Sequence, residues 1–119
     1  MTFEKACDRL HDSLLQEKNE YIRDSAIQRF EFTFELFWKL LKKYCDYQGK
    51  MVNSPRESIR EAFSLKILKD EPKYLEMLED RNMTTHTYKE TLAEEIYESL
   101  PRYVELMRIA VLEIKNKLK

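Results

Sequence analysis

Residues 20–49 read EYIRDSAIQRFEFTFELFWKLLKKYCDYQG, and the spacing of their apolar side chains decides the fold class. One stripe runs through Ala26, Phe30, Thr33, Phe37, Leu40 and Tyr44. A second runs beside it through Ile27, Phe34, Trp38, Leu41 and Cys45, and Phe32 and Leu36 widen the arc. Apolar positions recurring every three or four residues over this length predict one amphipathic helix from about Glu20 to Gln48, roughly 40 Å long. Gly49 ends it as the residue just past the last turn. The polar remainder is the narrow row Gln28, Glu31, Glu35, Lys39, Lys42 and Asp46, in which Glu35 and Lys39 have the favourable i,i+4 orientation. A helix apolar on most of its circumference must be covered on most of it. It is therefore either the centre of a monomeric bundle or, in part, a dimer surface; the pattern leaves both open.

Working outward, Thr2 caps a first helix whose apolar positions Phe3, Cys7, Leu10 and Leu14 carry it to about Lys18. Lys5, Asp8, Arg9 and Asp12 form its solvated face, and His11 lies close to that side. Downstream, Ser54-Pro55-Arg56-Glu57 is a capping box with proline at the first helical position. Ile59, Ala62 and Phe63 give that short helix its expected core face. Asp70-Glu71-Pro72 starts a fourth helix with acidic residues at its positive end, with Tyr74, Leu75 and Leu78 facing inward and its end near Asn82. The last helix begins at Glu90 or Thr91, with a seam of Leu92, Ile96, Leu100, Tyr103, Met107, Val111, Ile114 and Leu118. Pro101 falls inside it, which predicts a kink near Tyr97–Leu100 or two helices end to end.

Composition agrees with helices. The chain of 119 residues has a single Gly and three Pro, too little punctuation for a β protein that turns every 8–12 residues or so. The expectation is an all-α, up-and-down bundle of four to five helices forming one domain over 1–119. No apolar run approaches the ~18 residues of a membrane span, and Glu4 and Asp8 interrupt any signal-like segment, so a cytoplasmic chain is expected. A net charge of −1 provides no global basic field, so any nucleic acid must be met by a local cluster. Cys7 and Cys45 both fall on apolar stripes and read as buried free thiols. No Cys pair stands at ligand spacing and the histidines are at 11 and 86, so neither metal nor cofactor is expected.

One stretch does not read as packing: Glu79-Asp80-Arg81-Asn82-Met83-Thr84-Thr85-His86-Thr87-Tyr88. It interrupts two helical patterns and gathers groups that carry chemistry. Arg81 supplies a planar, permanently charged fork suited to a phosphate, and His86 can exchange a proton near neutral pH. Together they could support RNA cleavage with the substrate's own 2′-hydroxyl as nucleophile: a base removes its proton while a cation stabilises charge growing on the phosphoryl oxygens. The hydroxyl of Tyr88 is a candidate acceptor for a transferred group. The bland reading is that Arg81 caps carbonyls or pairs with a carboxylate such as Asp80, and that His86 is an ordinary loop histidine.

The spacing Arg81-x4-His86-x-Tyr88 resembles the signature of HEPN-domain proteins in the form found in HepT toxins, partners of a small MNT-type nucleotidyltransferase antitoxin. Asp24-Ser25-x-Ile27-Gln28-Arg29-Phe30-Glu31, Phe34-Glu35-Leu36-x-Trp38-Lys39, Ser54-Pro55-Arg56-Glu57 through Phe63, and Leu75-Glu76-Met77-Leu78-Glu79-Asp80-Arg81-Asn82 are similar to the family long described as nucleotidyltransferase substrate-binding proteins. The resemblance covers nearly the whole chain. It implies a bundle that dimerises through the long second helix and its neighbours, with Arg and His of both protomers meeting in a cleft. By the same resemblance Arg81 and His86 would be catalytic in a metal-independent endoribonuclease acting on RNA such as tRNA or mRNA. Arg81 would bind the phosphate, and Asn82 would hydrogen-bond it or orient His86. Tyr88 would accept AMP from the partner nucleotidyltransferase, silencing the toxin through added charge and bulk. Arg29, Glu31, Glu35 and Lys39, which also belong to the pattern, are read as a supporting ion network. The alternative within the resemblance is a non-catalytic subunit that presents substrate or nucleotide to the transferase. A further reading, a plain helical scaffold, leaves the stretch as a tight connection.

Overall fold

The expected long helix is the axis of the molecule. In the computed structural model, which describes residues 1–119, α2 spans Glu20–Tyr47 and packs against α1 (Phe3–Leu14), α3 (Pro55–Ser64), α4 (Glu71–Met83) and α5 (Glu90–Lys117). A 3₁₀ turn, Thr84–His86, joins α4 to α5. The architecture is all-helical, with five α-helices and no strand. α2 and α5, 28 residues each, set the 44 Å long dimension.

Burial follows the two stripes. Ala26, Ile27, Phe30, Phe34, Phe37, Leu41 and Cys45 are all buried, and their aromatic rings continue into the neighbouring helices. Phe30 stacks on Tyr103 of α5 at 5.5 Å between centroids, and Phe37 stacks on Tyr74 of α4 at 6.1 Å. Such contacts add to the area term and fix the approach of α4 and α5 to α2. The arc is not wholly covered: Phe32 remains 49% exposed, while Leu36, Trp38 and Leu40 are partly buried.

The helix ends show where local chemistry decided. Asn19 accepts from the Ile22 amide at 2.8 Å in extended backbone, so α2 starts at Glu20 and α1 stops at Leu14 rather than Lys18. Gly49, with φ 78°, closes α2: its amide bonds the Asp46 carbonyl and the Lys50 amide bonds Cys45. α3 ends in the same way on a lysine. Lys66 has φ 64°, its amide bonds the Phe63 carbonyl, and Ile67 bonds back to Ala62. That reversal turns Ile67 and Leu68 into the core.

Three sequence expectations are corrected. Phe63 is 44% exposed, because Ser58, Ile59 and Ala62 fill the face of α3 toward α2 and α4. Leu118 lies past the last turn of α5 and is exposed. Of the two outcomes expected at Pro101, two helices end to end is excluded, because α5 runs unbroken from Glu90 to Lys117. Leu100, Tyr103 and Val104 are buried around it, and this packing outweighs the ~3 kcal/mol cost of an interior proline. Pro101 itself is exposed.

Candidate functional site

Arg81 occupies the last turn of α4 and leans on α2 rather than on its own helix end. Its Nη2 donates to Glu35 Oε1 at 3.0 Å, and its guanidinium lies 5.8 Å from the centroid of the fully buried Phe34 ring. The side chain remains 31% exposed. Glu35 in turn accepts the indole N–H of Trp38 on both oxygens, at 3.0 and 2.9 Å. The carboxylate that pairs with Arg81 is therefore Glu35, not Asp80.

Asp80, one residue earlier, faces the interior and accepts the Tyr103 hydroxyl at 2.5 Å. Burial raises its carboxyl above the usual range, against the opposing effect of that hydrogen bond. Burial, and then the Asp80 hydrogen bond, push the Tyr103 phenol up as well. The helical offset of about 100° between adjacent residues thus separates the two roles. Asp80 pins α4 to α5, and Arg81 reaches the surface.

Beyond Arg81 the backbone tightens through its own hydroxyls. The buried Thr84 donates to the Arg81 carbonyl at 2.7 Å, Thr87 donates to Thr84 at 3.0 Å, and the Lys89 amide bonds the His86 carbonyl at 3.1 Å. This local bonding explains a 3₁₀ turn in place of a longer loop. Asn82, His86 and Tyr88 are exposed, Tyr88 to 73%. The His86 and Tyr88 rings meet edge to face with centroids 6.1 Å apart, and Lys89 Nζ lies 6.0 Å from the Tyr88 ring.

The far end of the turn is anchored by a group the sequence reading missed. Arg23, only 4% exposed, donates from Nη1 to Glu90 at 2.6 Å and to Glu94 at 3.0 Å, from Nη2 to Glu90 at 3.3 Å, and from Nε to Asp24 at 3.0 Å. Lys18 adds a bond to Glu94. The Arg23 hydrogen bond holds the Glu90 carboxyl below its usual range, and bonds from Lys18 and Arg23 do the same for Glu94. The available signal was position: Arg23 falls one turn before Ile27 on a buried stripe, where a cation requires carboxylates.

The four-residue ion network expected on α2 does not form within the chain. Glu35 pairs with Arg81 instead of Lys39, and Arg29, Glu31 and Lys39 enter no ion pair. Arg29 instead borders a shallow groove between α1 and α2, with Arg9 opposite. Both cysteines are buried and unpaired, and burial raises their thiols to about 11, which leaves little thiolate at neutral pH. No helix is long and apolar enough to cross a membrane.

The fold and the turn thus define a class: a small helical bundle in which an Arg-Asn pair at the end of α4 is followed by an exposed histidine and tyrosine. The chain belongs to the family described as nucleotidyltransferase substrate binding protein like, whose model matches residues 1–116. A crystallised protein from Thermus thermophilus is 39% identical, with a TM-score of 0.90 over 95% of this chain and 98% of that one. A Haemophilus influenzae structure, described as revealing the fold of a substrate binding domain of a nucleotidyltransferase, superposes with a TM-score of 0.83. It covers 95% of this chain and 96% of that one at 20% identity, which speaks to the fold alone. A curated relative from H. influenzae, named "Probable ribonuclease HepT", is 29% identical over 86 residues, 66% of this chain. That match spans 58% of the relative's length.

Proposed function

We propose that this chain is a HepT-type toxin subunit: a metal-independent endoribonuclease that works as a homodimer and is silenced by a partner nucleotidyltransferase. The observation that carries this reading is the state of Arg81. It is a partly exposed guanidinium bonded through one nitrogen only, on the same short segment as an exposed His86. In the proposed reaction His86 takes the proton of the ribose 2′-hydroxyl. The 2′-oxygen attacks phosphorus, the bond to the 5′-oxygen breaks, and the leaving oxygen is protonated by a second acid. The products are a 2′,3′-cyclic phosphate and a 5′-hydroxyl end. Arg81, aided by Asn82, stabilises the charge that builds on the non-bridging oxygens. A second copy would supply the second acid, and the 49% exposure of Phe32 on α2 supports a face available for that copy.

Control would act at Tyr88. Its oxygen attacks the α-phosphorus of ATP on the partner transferase, pyrophosphate leaves, and the phenolic proton is lost. The added nucleotide would stand beside His86, whose ring centroid is 6.1 Å from that of Tyr88. Charge and bulk there would exclude RNA.

A second reading has one specific observation in its favour. Arg81 is engaged by Glu35, which places a negative charge where an RNA phosphate would approach. This suits a subunit that presents substrate or nucleotide to the transferase without cutting RNA, as the family description and the H. influenzae structure's description suggest. Incubation of the purified chain with total RNA in EDTA, beside an Arg81→Ala/His86→Ala variant, separates the two. Cleavage only by the unmodified chain is expected, and intact RNA in both samples would exclude the nuclease reading.

A further inference from the structure

Glu35 has two partners that together remove its freedom. The Trp38 indole, three residues along α2, bonds both carboxylate oxygens, and Arg81 bonds one of them from across the helix interface. A partly exposed glutamate on a helix ordinarily samples several rotamers, and here the expected i,i+4 partner Lys39 is ignored. Phe34, immediately before Glu35, is fully buried and lies beneath the guanidinium. Three residues of α2 therefore act on Arg81 at once: Phe34 supports its face, Glu35 holds one edge, and Trp38 holds Glu35. No protein acceptor engages Arg81 Nε or Nη1.

We propose that Glu35, locked by Trp38, is the positioning residue for Arg81, holding the guanidinium through Nη2 so that its remaining N–H groups face the phosphodiester oxygens. The inference rests on the nuclease reading above and adds a residue that never touches the RNA. Its logic is preorganisation. An arginine on a flexible stem loses rotamer entropy on binding phosphate, and the Glu35–Trp38 pair incurs that loss during folding. The opposite role for the same contact is a decoy, in which Glu35 merely competes with phosphate for Arg81. The two differ in sign.

The test uses an RNA oligonucleotide that the chain cuts and the same sequence with 2′-O-methyl riboses, which 2′-hydroxyl attack cannot cut. Glu35→Ala, Glu35→Gln and Trp38→Phe are compared with the unmodified chain, after melts show that each folds. Positioning predicts that Glu35→Ala lowers kcat by about 10- to 100-fold with KM changed far less. It also weakens the uncleavable probe by about 2- to 10-fold. Glu35→Gln, which retains an oxygen for Arg81 and Trp38, recovers most of both losses, and Trp38→Phe shows a smaller loss of the same kind. An unchanged kcat in Glu35→Ala, or tighter probe binding in both Glu35 variants, overturns the proposal and leaves the nuclease reading standing. If the unmodified chain binds the probe but cuts nothing, the nuclease reading falls alone, and the probe affinity of Glu35→Ala decides the positioning role. A chain that neither binds nor cuts removes both.

Discussion

Two arginines hold the two ends of the same turn against α2, and they do so in opposite ways. Arg23 belongs to α2 and reaches up to the start of α5; Arg81 belongs to α4 and reaches back to α2 twelve positions, about 18 Å, further along. Arg23 is 4% exposed and bonded through all three nitrogens to Asp24, Glu90 and Glu94. Arg81 is 31% exposed and bonded through one. A buried guanidinium with four hydrogen bonds to protein leaves little for a ligand, whereas a partly exposed one with a single bond has donors to spare. The difference is the ground for proposing a binding role for Arg81 and not for Arg23.

Removing the saturated member should cost most. Arg23→Ala is expected to lower stability by about 2 kcal/mol, from lost charged hydrogen bonds and the packing of the buried stem. A denaturant melt at neutral pH measures it. The loss should depend on pH with a definite sign. Glu90 and Glu94 have carboxyls lowered by Arg23 and, for Glu94, Lys18. Their contribution is complete at neutral pH and disappears as the pH falls through their folded values, which lie below the ordinary glutamate range. The acid limb of the variant's stability curve should accordingly be shallower than that of the unmodified chain.

Tyr103→Phe comes next and sharpens the contrast between Asp80 and Arg81. The variant leaves a partly buried carboxylate without its donor, at an expected cost of about 1 kcal/mol near pH 7. Asp80 is raised rather than lowered, so here the sign reverses. Its ionised form is the penalised one, and the penalty is relieved as the pH falls through its folded value. The Tyr103→Phe deficit should shrink as Asp80 protonates, whereas the Arg23 contribution fades as Glu90 and Glu94 protonate.

Arg81→Ala is the critical comparison with Arg23→Ala. The Glu35 pair is partly exposed, so the variant should lose less than about 1 kcal/mol of stability. On the nuclease reading, RNA binding and cleavage should nevertheless be abolished. A stability loss matching that of Arg23→Ala would show Arg81 to be a structural cation as well, and would undo the distinction.

The legible part of the molecule was the part governed by periodicity and capping. The stripes on α2, the Ser54 capping box and Gly49 each follow from local rules, and the elements they predict are present. The pairing of charges was not legible, because it depends on which helices meet. Glu35 stands four residues from Lys39 and 46 from Arg81, and only the packing of α4 on α2 selects the distant partner. Arg23 and the Asp80–Tyr103 bond were hidden for the same reason. Lys66 was hidden for another: its left-handed backbone normally advertises itself as Gly or Asn. Pro101 shows the reverse: a local stop signal does not end the helix, whose neighbours are buried on both sides.

The smallest structural effect is expected at Tyr88, and it bears most directly on control. Its side chain is 73% exposed, and its hydroxyl makes no hydrogen bond within the chain, so Tyr88→Phe should change stability by no more than about 0.5 kcal/mol. The variant retains the ring that meets His86 and removes only the oxygen. If the hydroxyl is the acceptor, incubation with the partner nucleotidyltransferase and ATP adds the mass of AMP to the unmodified chain and none to Tyr88→Phe. The variant's RNA cleavage then continues where the unmodified chain is silenced. Mass added equally to both chains would move the acceptor elsewhere, and no mass on either would remove the modification from the proposal. Because Tyr88 contributes so little to the fold, a loss of response in this variant reports the missing oxygen and not a damaged bundle. The same substitution at Tyr103, which is buried and bonded to Asp80, could not make that distinction.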